Sequence, residues 1–302
     1  MSYFDSDKDQ IAACDTSYDV SQGIVLKKRV HAGNLDSGAH DPIGQQVESL
    51  LDGFAHHGLK DTEAQSLMSR FDTKYLVHTS RLNELLQSLK QDYSVLSIDN
   101  KQLMRYENEY LDTENFSFYN DHHNKRLNRT KVRCRRYVDS DTSFIEIKAK
   151  NNKGRTVKNR KQLNGSDELA QIAPEMLQQY LPGKYPACQL ESVAKITYRR
   201  ISLQSDSHNE RVSIDLCLAA TRQDNSRSFE MHDLAIVELK QTRANRESPL
   251  FHTLRNMGMY SSPFSKYCIS CALLYAELLR TNRFKMLLAR LQSRIKFNNT
   301  GV

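Results

Sequence analysis

The stretch RTKVRCRRYVDSDTSFIEIKAK, residues 129–150, decides the fold. Within it apolar and charged residues alternate, and a period of two is typical of a β-strand that has one apolar face. Two strands are therefore predicted, over 130–138 and 142–151. In the second of them the charged face carries Glu146 and Lys148, and isoleucines occupy the opposite face.

The same alternation recurs on strands that are far apart in the sequence. Arg and Lys dominate the charged faces, with a few acids beside them. These faces carry Arg70, Asp72, Lys74, Lys131, Arg133, Arg135, Glu146, Lys148, Lys150, Lys158, Arg160, Arg211, Ser213, Asp215, Glu238 and Lys240. For a single strand, a solvated outer face is the usual explanation. Six strands with this pattern favour a barrel whose charged face points inward, around a polyanion such as a phosphate chain.

The overall charge agrees with a local anion site. The chain has 302 residues, with 43 Lys and Arg against 36 Asp and Glu, so its formal net charge is +7. Residues 125–160 alone contain 13 Lys or Arg and three acids, and the remainder is slightly acidic. A basic window in such a chain indicates a confined anion-binding region rather than a generally basic protein.

Several classes of protein are excluded at this stage. The sequence has no run of 18 apolar residues, so no integral membrane segment is expected. The first ten residues, MSYFDSDKDQ, are acidic and polar, unlike a signal peptide. Six scattered cysteines without an export signal indicate a reduced environment. A cytoplasmic protein is therefore expected.

The order of the predicted elements gives an α+β fold. Residues 1–42 show no sustained period and are predicted to be a flexible leader, followed by a single domain over 43–302. Further strands are predicted over 70–77, 93–98, 103–113, 155–163, 189–204, 210–221 and 232–242. Helices are predicted over 43–58, 80–92, 114–125, 165–181, 247–259 and 273–297.

Nine short motifs resemble one family. They are TKY at 73–75, YLDTENFSFY at 110–119, RCRRY at 133–137, FIEIKAK at 144–150, TVKNR at 156–160, YRR at 198–200, RVSID at 211–215, VELK at 237–240 and SKY at 265–267. In this order they resemble the catalytic domain of the vacuolar transporter chaperone (VTC) polyphosphate polymerases, in the triphosphate tunnel metalloenzyme superfamily. The resemblance covers about residues 68–275.

The resemblance implies an α+β fold with an eight-stranded antiparallel β-barrel tunnel and flanking helices. It also implies a set of phosphate-binding residues that point into the tunnel. This set is Lys74, Arg133, Arg135, Lys148, Lys158, Arg200, Arg211, Lys240 and Lys266. The alternation on the strands supports all of them except Arg200 and Lys266, which rest mainly on the resemblance.

The function that the resemblance implies is phosphoryl transfer. The γ-phosphate of ATP would pass to a growing chain of inorganic polyphosphate, with Glu238 holding a divalent metal, Mn²⁺ or Mg²⁺. The implied partners are therefore ATP and polyphosphate. Nucleic acid is not expected, because the basic strands lack the interleaved aromatic platforms that stack bases.

Two departures from the family keep alternatives open. Hydrolytic relatives carry Glu-x-Glu-x-Lys on the first strand, whereas this chain has Arg70 in place of the first acid. VTC polymerases often have Arg in the helix where this chain has His122, and Arg126 is a candidate substitute. The alternatives to a polymerase are a metal-dependent triphosphatase and a non-catalytic polyphosphate-binding module.

Overall fold

The computed structural model describes most of the chain. The described residues are 42–64, 71–152, 156–164, 167–185, 189–243 and 245–299. The leader predicted for 1–42 lies outside them, except that Pro42 begins the first helix. The helices are Pro42–Leu51 (α1), Leu59–Ala64 (α2), Leu82–Leu89 (α3), Ser117–His123 (α4), Leu169–Tyr180 (α5), Pro249–Asn256 (α6), Lys266–Leu274 (α7) and Lys285–Leu291 (α8).

The strands form one large sheet. They are Ala55–His57 (β1), Phe71–His78 (β2), Ser94–Leu96 (β3), Met104–Asp112 (β4), Arg129–Tyr137 (β5), Thr142–Lys150 (β6), Thr156–Leu163 (β7), Glu191–Ser205 (β8), Glu210–Arg222 (β9), Arg227–Met231 (β10), Leu234–Gln241 (β11) and Ile295–Asn299 (β12). The short strand β1 pairs with β3 in parallel, and the other pairings are antiparallel.

Eight strands make up the wall that matters for function. Their order is β2-β11-β9-β8-β4-β5-β6-β7, with every neighbouring pair antiparallel. The predicted α+β class with an antiparallel sheet and flanking helices is confirmed. The described strands β7 and β2 are not paired through their backbones, so the sheet is not closed. A side-chain contact spans the gap, since Lys148 Nζ lies 3.6 Å from Asp72 Oδ2.

The apolar faces of these strands lie outward, under the helices. One core cluster packs α4, α5, α7 and α8 on the β4–β10 region, and Ile145 and Ile147 are fully buried in it. A second cluster packs α1, α3 and α6 on β2, β9 and β11. The hydrophobic effect thus fixes the outer face of the wall, and the charged residues between the isoleucines face the inside.

The predicted helix over 273–297 is wrong. Helix α7 ends at Leu274, α8 covers only Lys285–Leu291, and the last residues form β12 against β10. Cross-strand contact explains the difference, because Phe297 lies opposite Phe229, which is fully buried. Burial in the sheet outweighs the local helical pattern. Helix α7 and strand β10 were not predicted.

The predicted helix over 43–58 is too long. Helix α1 ends at Leu51, and Gly53 has φ +85°, which a helix does not accommodate. The following Ala55–His57 forms the short strand β1 beside β3.

Candidate active site

The inner face of the wall surrounds a cavity of 420 Å³. Among the described residues, ten Lys and Arg side chains line it against three carboxylates. The basic residues are Lys74, Arg129, Lys131, Arg133, Arg135, Lys148, Lys158, Arg200, Lys240 and Lys266, and the acids are Asp72, Glu146 and Glu238. An excess of this size makes the cavity attractive to a polyanion.

The structure brings together nine of the ten residues predicted for the site. They are Lys74, Arg133, Arg135, Lys148, Lys158, Arg200, Lys240, Lys266 and Glu238. Arg211 is the exception, because it does not line the cavity. Arg211 on β9 is the register partner of Lys240 on β11. The Lys240 ammonium, which does line the cavity, donates a hydrogen bond to Ser213 Oγ at 2.5 Å.

Glu238 lies in the wall between two lysines. Lys74 Nζ donates a hydrogen bond to its Oε1 at 2.7 Å, and Lys240 Nζ lies 4.0 Å from Oε2. Burial alone would raise the pKa of Glu238, but the charges of Lys240, Lys74 and Lys266 hold that pKa well below its usual range. The carboxylate is therefore ionised and fixed in orientation at neutral pH.

Two further carboxylates neutralise part of the basic set. Glu146, with a side chain 2% exposed, binds Arg133 at 2.6 Å and Lys158 at 2.5 Å. Asp215, fully buried, accepts from Arg200 at 2.6 Å and from Lys266. Burial opposes ionisation of both, but these basic partners hold both pKa values well below the usual range.

The same environment alters a lysine. Burial lowers the pKa of Lys240 to about 8, although the charge of Glu238 opposes that shift. A lysine with a pKa of about 8 loses its proton, and with it its positive charge, only slightly above neutral pH. Its protonation is therefore sensitive to any anion that enters the cavity.

Stacked tyrosines support the arginines on one side of the cavity. The rings of Tyr106 and Tyr198 are 5.3 Å apart and nearly parallel. The Arg200 guanidinium lies 5.0 Å from the centre of the Tyr106 ring, and Arg135 lies 5.2 Å from it. Burial would raise the pKa of Tyr198, but Arg135 and Arg200 lower it. These rings restrict the rotamers of the arginines and so prepare them for a ligand.

Asp112 ties two helices to the cavity. Its carboxylate accepts hydrogen bonds from the backbone N–H groups of Phe118 and Tyr119 in α4, at 2.9 Å each, and from the Tyr267 hydroxyl in α7. Helix α7 begins at Lys266, directly beside the Asp215 pair. The YLD motif on β4 therefore positions both helices that border the cavity.

One side of the cavity carries bases without carboxylates among the residues that line it. Here His122 from α4, Arg129 and Lys131 face the cavity, and Lys131 Nζ donates to Ser265 Oγ at 2.9 Å. Burial, and then the charges of Lys131, Arg129 and Lys150, lower the pKa of His122 to about 3. His122 is therefore neutral at pH 7 while no anion is bound.

Sequence reasoning missed several cavity residues. The alternation had placed Lys131 and Asp72 on charged faces without assigning them to the site, and Arg129, which shares the face of Lys131, could have been included in the same way. Ser265 comes from the segment before α7, and Tyr110 and Tyr198 read as ordinary core positions. The alternation of charged with apolar residues identifies none of these three, because none of them is charged.

The carboxylates of the cavity suit a divalent metal only in part. Glu238 offers an ionised, oriented carboxylate on the cavity wall, and Mg²⁺ is commonly bound through one or two carboxylates plus substrate phosphates. The described residues include no group of three His, Cys, Asp or Glu that could hold an ion alone. The cavity thus fits a metal that is shared between Glu238 and a phosphate ligand.

None of the described helices is both long and apolar enough to cross a membrane.

The described strands form an antiparallel wall with helices on its outside and a basic cavity on its inside. The chain belongs to the VTC domain family, since the VTC domain model matches residues 69–275. A search of curated proteins finds no match.

Solved structures show distant likenesses. A proposed adenylate cyclase from Bacillus halodurans is 13% identical, with a TM-score of 0.45, over 65% of this chain and 94% of that one. A proposed adenylyl cyclase from Hippeastrum, described as having a dominant triphosphatase activity, is 12% identical, with a TM-score of 0.44, over 70% and 98%. At these values the likenesses carry no argument about activity.

Proposed function

We propose that the chain is a polyphosphate polymerase that transfers the γ-phosphate of ATP to inorganic polyphosphate inside the cavity. The observation that supports this most is the excess of basic over acidic side chains around 420 Å³. Lys and Arg are the usual donors to phosphate oxygens. The basic set is large enough to hold a donor triphosphate together with the end of a chain.

The proposed step is a balanced exchange of one phosphoanhydride bond for another. The bond between the β- and γ-phosphates of ATP breaks, and its electron pair stays on the β-phosphate oxygen of ADP. A terminal oxygen of the chain forms the new bond to the γ-phosphorus. The acceptor oxygen is already ionised near neutral pH, so the step needs no net proton transfer.

The side chains bind and orient the reacting phosphates. Lys74, Lys240 and Lys266 lie near Glu238, whereas Arg133 and Lys158 surround Glu146 on the neighbouring part of the wall. Positioning and charge neutralisation provide most of the catalysis in phosphoryl transfer. Glu238 would hold the Mn²⁺ or Mg²⁺, and a bound metal supplies further neutralisation of charge on phosphate oxygens.

The carboxylates favour transfer to phosphate over transfer to water. Hydrolysis is assisted by a general base whose pKa is near the operating pH. Glu146 and Glu238 instead have pKa values well below the usual range, because Arg and Lys surround them. They are weak bases, and an ionised phosphate acceptor does not need one.

The buried position of the cavity tyrosines argues against nucleic acid as the ligand. Tyr110 and Tyr198 are only 5% and 3% exposed, and both pack against arginines or other tyrosines. A stacking platform for bases has to be accessible to them.

The cytoplasm stays the predicted location of the protein.

A synthesis assay tests the proposal. The purified protein, with ATP and either Mn²⁺ or Mg²⁺, is expected to build chains that appear as a ladder on a polyphosphate-stained gel. The Glu238→Gln variant should build none, and Glu230→Gln, an exposed substitution on β10, serves as the matched control. Release of orthophosphate without a ladder would favour a triphosphatase. Binding without any turnover would favour a non-catalytic module.

A further inference from the structure

Within the described part of the chain, the positive charges of the cavity are paired with carboxylates on one side and left without them on the other. Arg133, Arg200 and Lys74 each bind a carboxylate of the wall. On the side of α4, however, His122 lines the cavity together with Arg129 and Lys131, and no carboxylate comes from this side among the described residues that line it. The His122 Nδ1 atom is buried and has no hydrogen-bond partner among the described residues. This side therefore holds positive charge and a polar atom that an external anion would satisfy.

Helix α4 also connects this side of the cavity to a second basic region. The segment after α7 packs on the back of α4: the Arg283 backbone N–H donates to His123 Nε2 at 3.4 Å, and the Phe284 ring lies 6.5 Å from the His122 ring. Tyr119 donates its hydroxyl proton to the carbonyl of Arg280 at 2.8 Å. The segment therefore starts directly behind the residue that lines the cavity.

This segment has an unusual composition. Residues 278–302 contain no Asp or Glu and six basic residues. Arg283 and Lys285, closest to α4, are both exposed to solvent. A protein surface normally carries charges of both signs, so a segment with bases and no acids beside a basic cavity favours a path for a long anion.

We propose that the polyphosphate chain leaves the cavity past Arg129, Lys131 and His122 and continues over the surface at Arg283 and Lys285. The inference rests on the proposed function for the identity of the anion. It adds a second contact region that only a chain longer than the cavity can reach. The affinity for polyphosphate should therefore depend on chain length through residues that lie outside the cavity.

An anionic membrane is the competing occupant of this surface. Met286 beside Lys285 is 76% exposed, and basic residues with an apolar neighbour also suit an acidic lipid headgroup region. The contact of this segment with α4, which carries the cavity residue His122, favours the phosphate chain, because a membrane would not require α4 to link the two basic regions. The experiment below includes both ligands.

The test measures binding of tripolyphosphate and of long-chain polyphosphate by calorimetry. Wild type is compared with the double variant Arg283→Gln/Lys285→Gln. The control is Arg243→Gln/Arg246→Gln, which removes two exposed bases beyond the Asp72 and Lys240 side of the cavity. The first double variant is expected to weaken binding of the long chain by about tenfold, and to leave tripolyphosphate and the melting temperature unchanged.

Each of the following results would contradict the proposed route of the polyphosphate chain. Loss of long-chain affinity in the control alone would place the path beyond Lys240. Equal affinity of wild type and both variants for the long chain would remove the surface contact altogether. Loss of binding to phosphatidylserine vesicles, with unchanged polyphosphate binding, would assign the surface to a membrane. If wild type bound neither polyphosphate, the proposed function itself would fail, and the path with it.

Discussion

Lys74 and Glu238 are register partners on β2 and β11, and their side chains form a hydrogen bond of 2.7 Å on the cavity wall. The lysine side chain is 25% exposed and the glutamate 13%. The pair therefore lies where a phosphate ligand and a shared metal would meet. A ligand phosphate can take over Lys74, which leaves the Glu238 carboxylate available to a metal.

Replacement of Glu238 by Gln should separate turnover from binding. The amide oxygen still accepts from Lys74, but the negative charge is lost, and loss of one electrostatic group of this kind costs about 100-fold or more in kcat. Binding of tripolyphosphate without metal should stay equal or become tighter, because one repulsive charge is removed. Calorimetry and a coupled ADP assay check the two parts. Unchanged kcat in Glu238→Gln would contradict a role in the reaction.

Replacement of Glu146 by Gln should make stability depend more strongly on a bound anion. Glu146 is the shared partner of Arg133 and Lys158, so its neutralisation leaves two positive side chains without their common negative charge. The free energy of unfolding should fall by about 1–3 kcal/mol. Tripolyphosphate should raise the melting temperature of this variant by more than that of wild type. An equal shift in both proteins would show that the ligand does not reach Arg133.

Asp215 should make stability sensitive to acid. Its folded-state pKa is well below the unfolded value, because Arg200 and Lys266 outweigh the effect of burial. The resulting stabilisation is complete above the unfolded pKa of about 4 and is lost as the pH falls through the folded pKa. The difference in unfolding free energy between wild type and Asp215→Asn should therefore be largest near neutral pH and shrink below pH of about 4. Urea titrations at several pH values check this, and a constant difference would refute it.

The pKa of His122 should rise when a polyanion binds. Burial and the nearby Lys131, Arg129 and Lys150 lower its pKa to about 3 in the free protein. Phosphate oxygens on this side of the cavity would offset those positive charges and raise the pKa. NMR titration of the ring with and without tripolyphosphate measures the shift, with exposed His232 as the internal control and His122→Gln for assignment. No change in the His122 pKa would place the anion elsewhere.

The alternation of charged and apolar residues carried most of the predictable information. It placed Glu146 and Lys148 inside and Ile145 and Ile147 outside, because a strand has two faces and only one can join the apolar core. This pattern and the family resemblance together gave the α+β class and ten proposed site residues, nine of which line the cavity.

Features that depend on the tertiary structure were not predictable in this way. The C-terminal segment has helical spacing, yet Ile295–Asn299 pairs with β10. Arg211 has the inward alternation but does not line the cavity. Ser265 reaches it because Asp112 fixes α7 through Tyr267, a contact between residues that are distant in sequence.

The central claim is that the γ-phosphate goes to a phosphate chain and not to water. The most direct test follows ATP consumption by ³¹P NMR with wild type and with Glu238→Gln. The account predicts that wild type forms mid-chain phosphate signals in step with ADP and little orthophosphate, and that the variant forms neither product at a comparable rate. Orthophosphate released in equal amount to ADP, with no mid-chain signal, would contradict it.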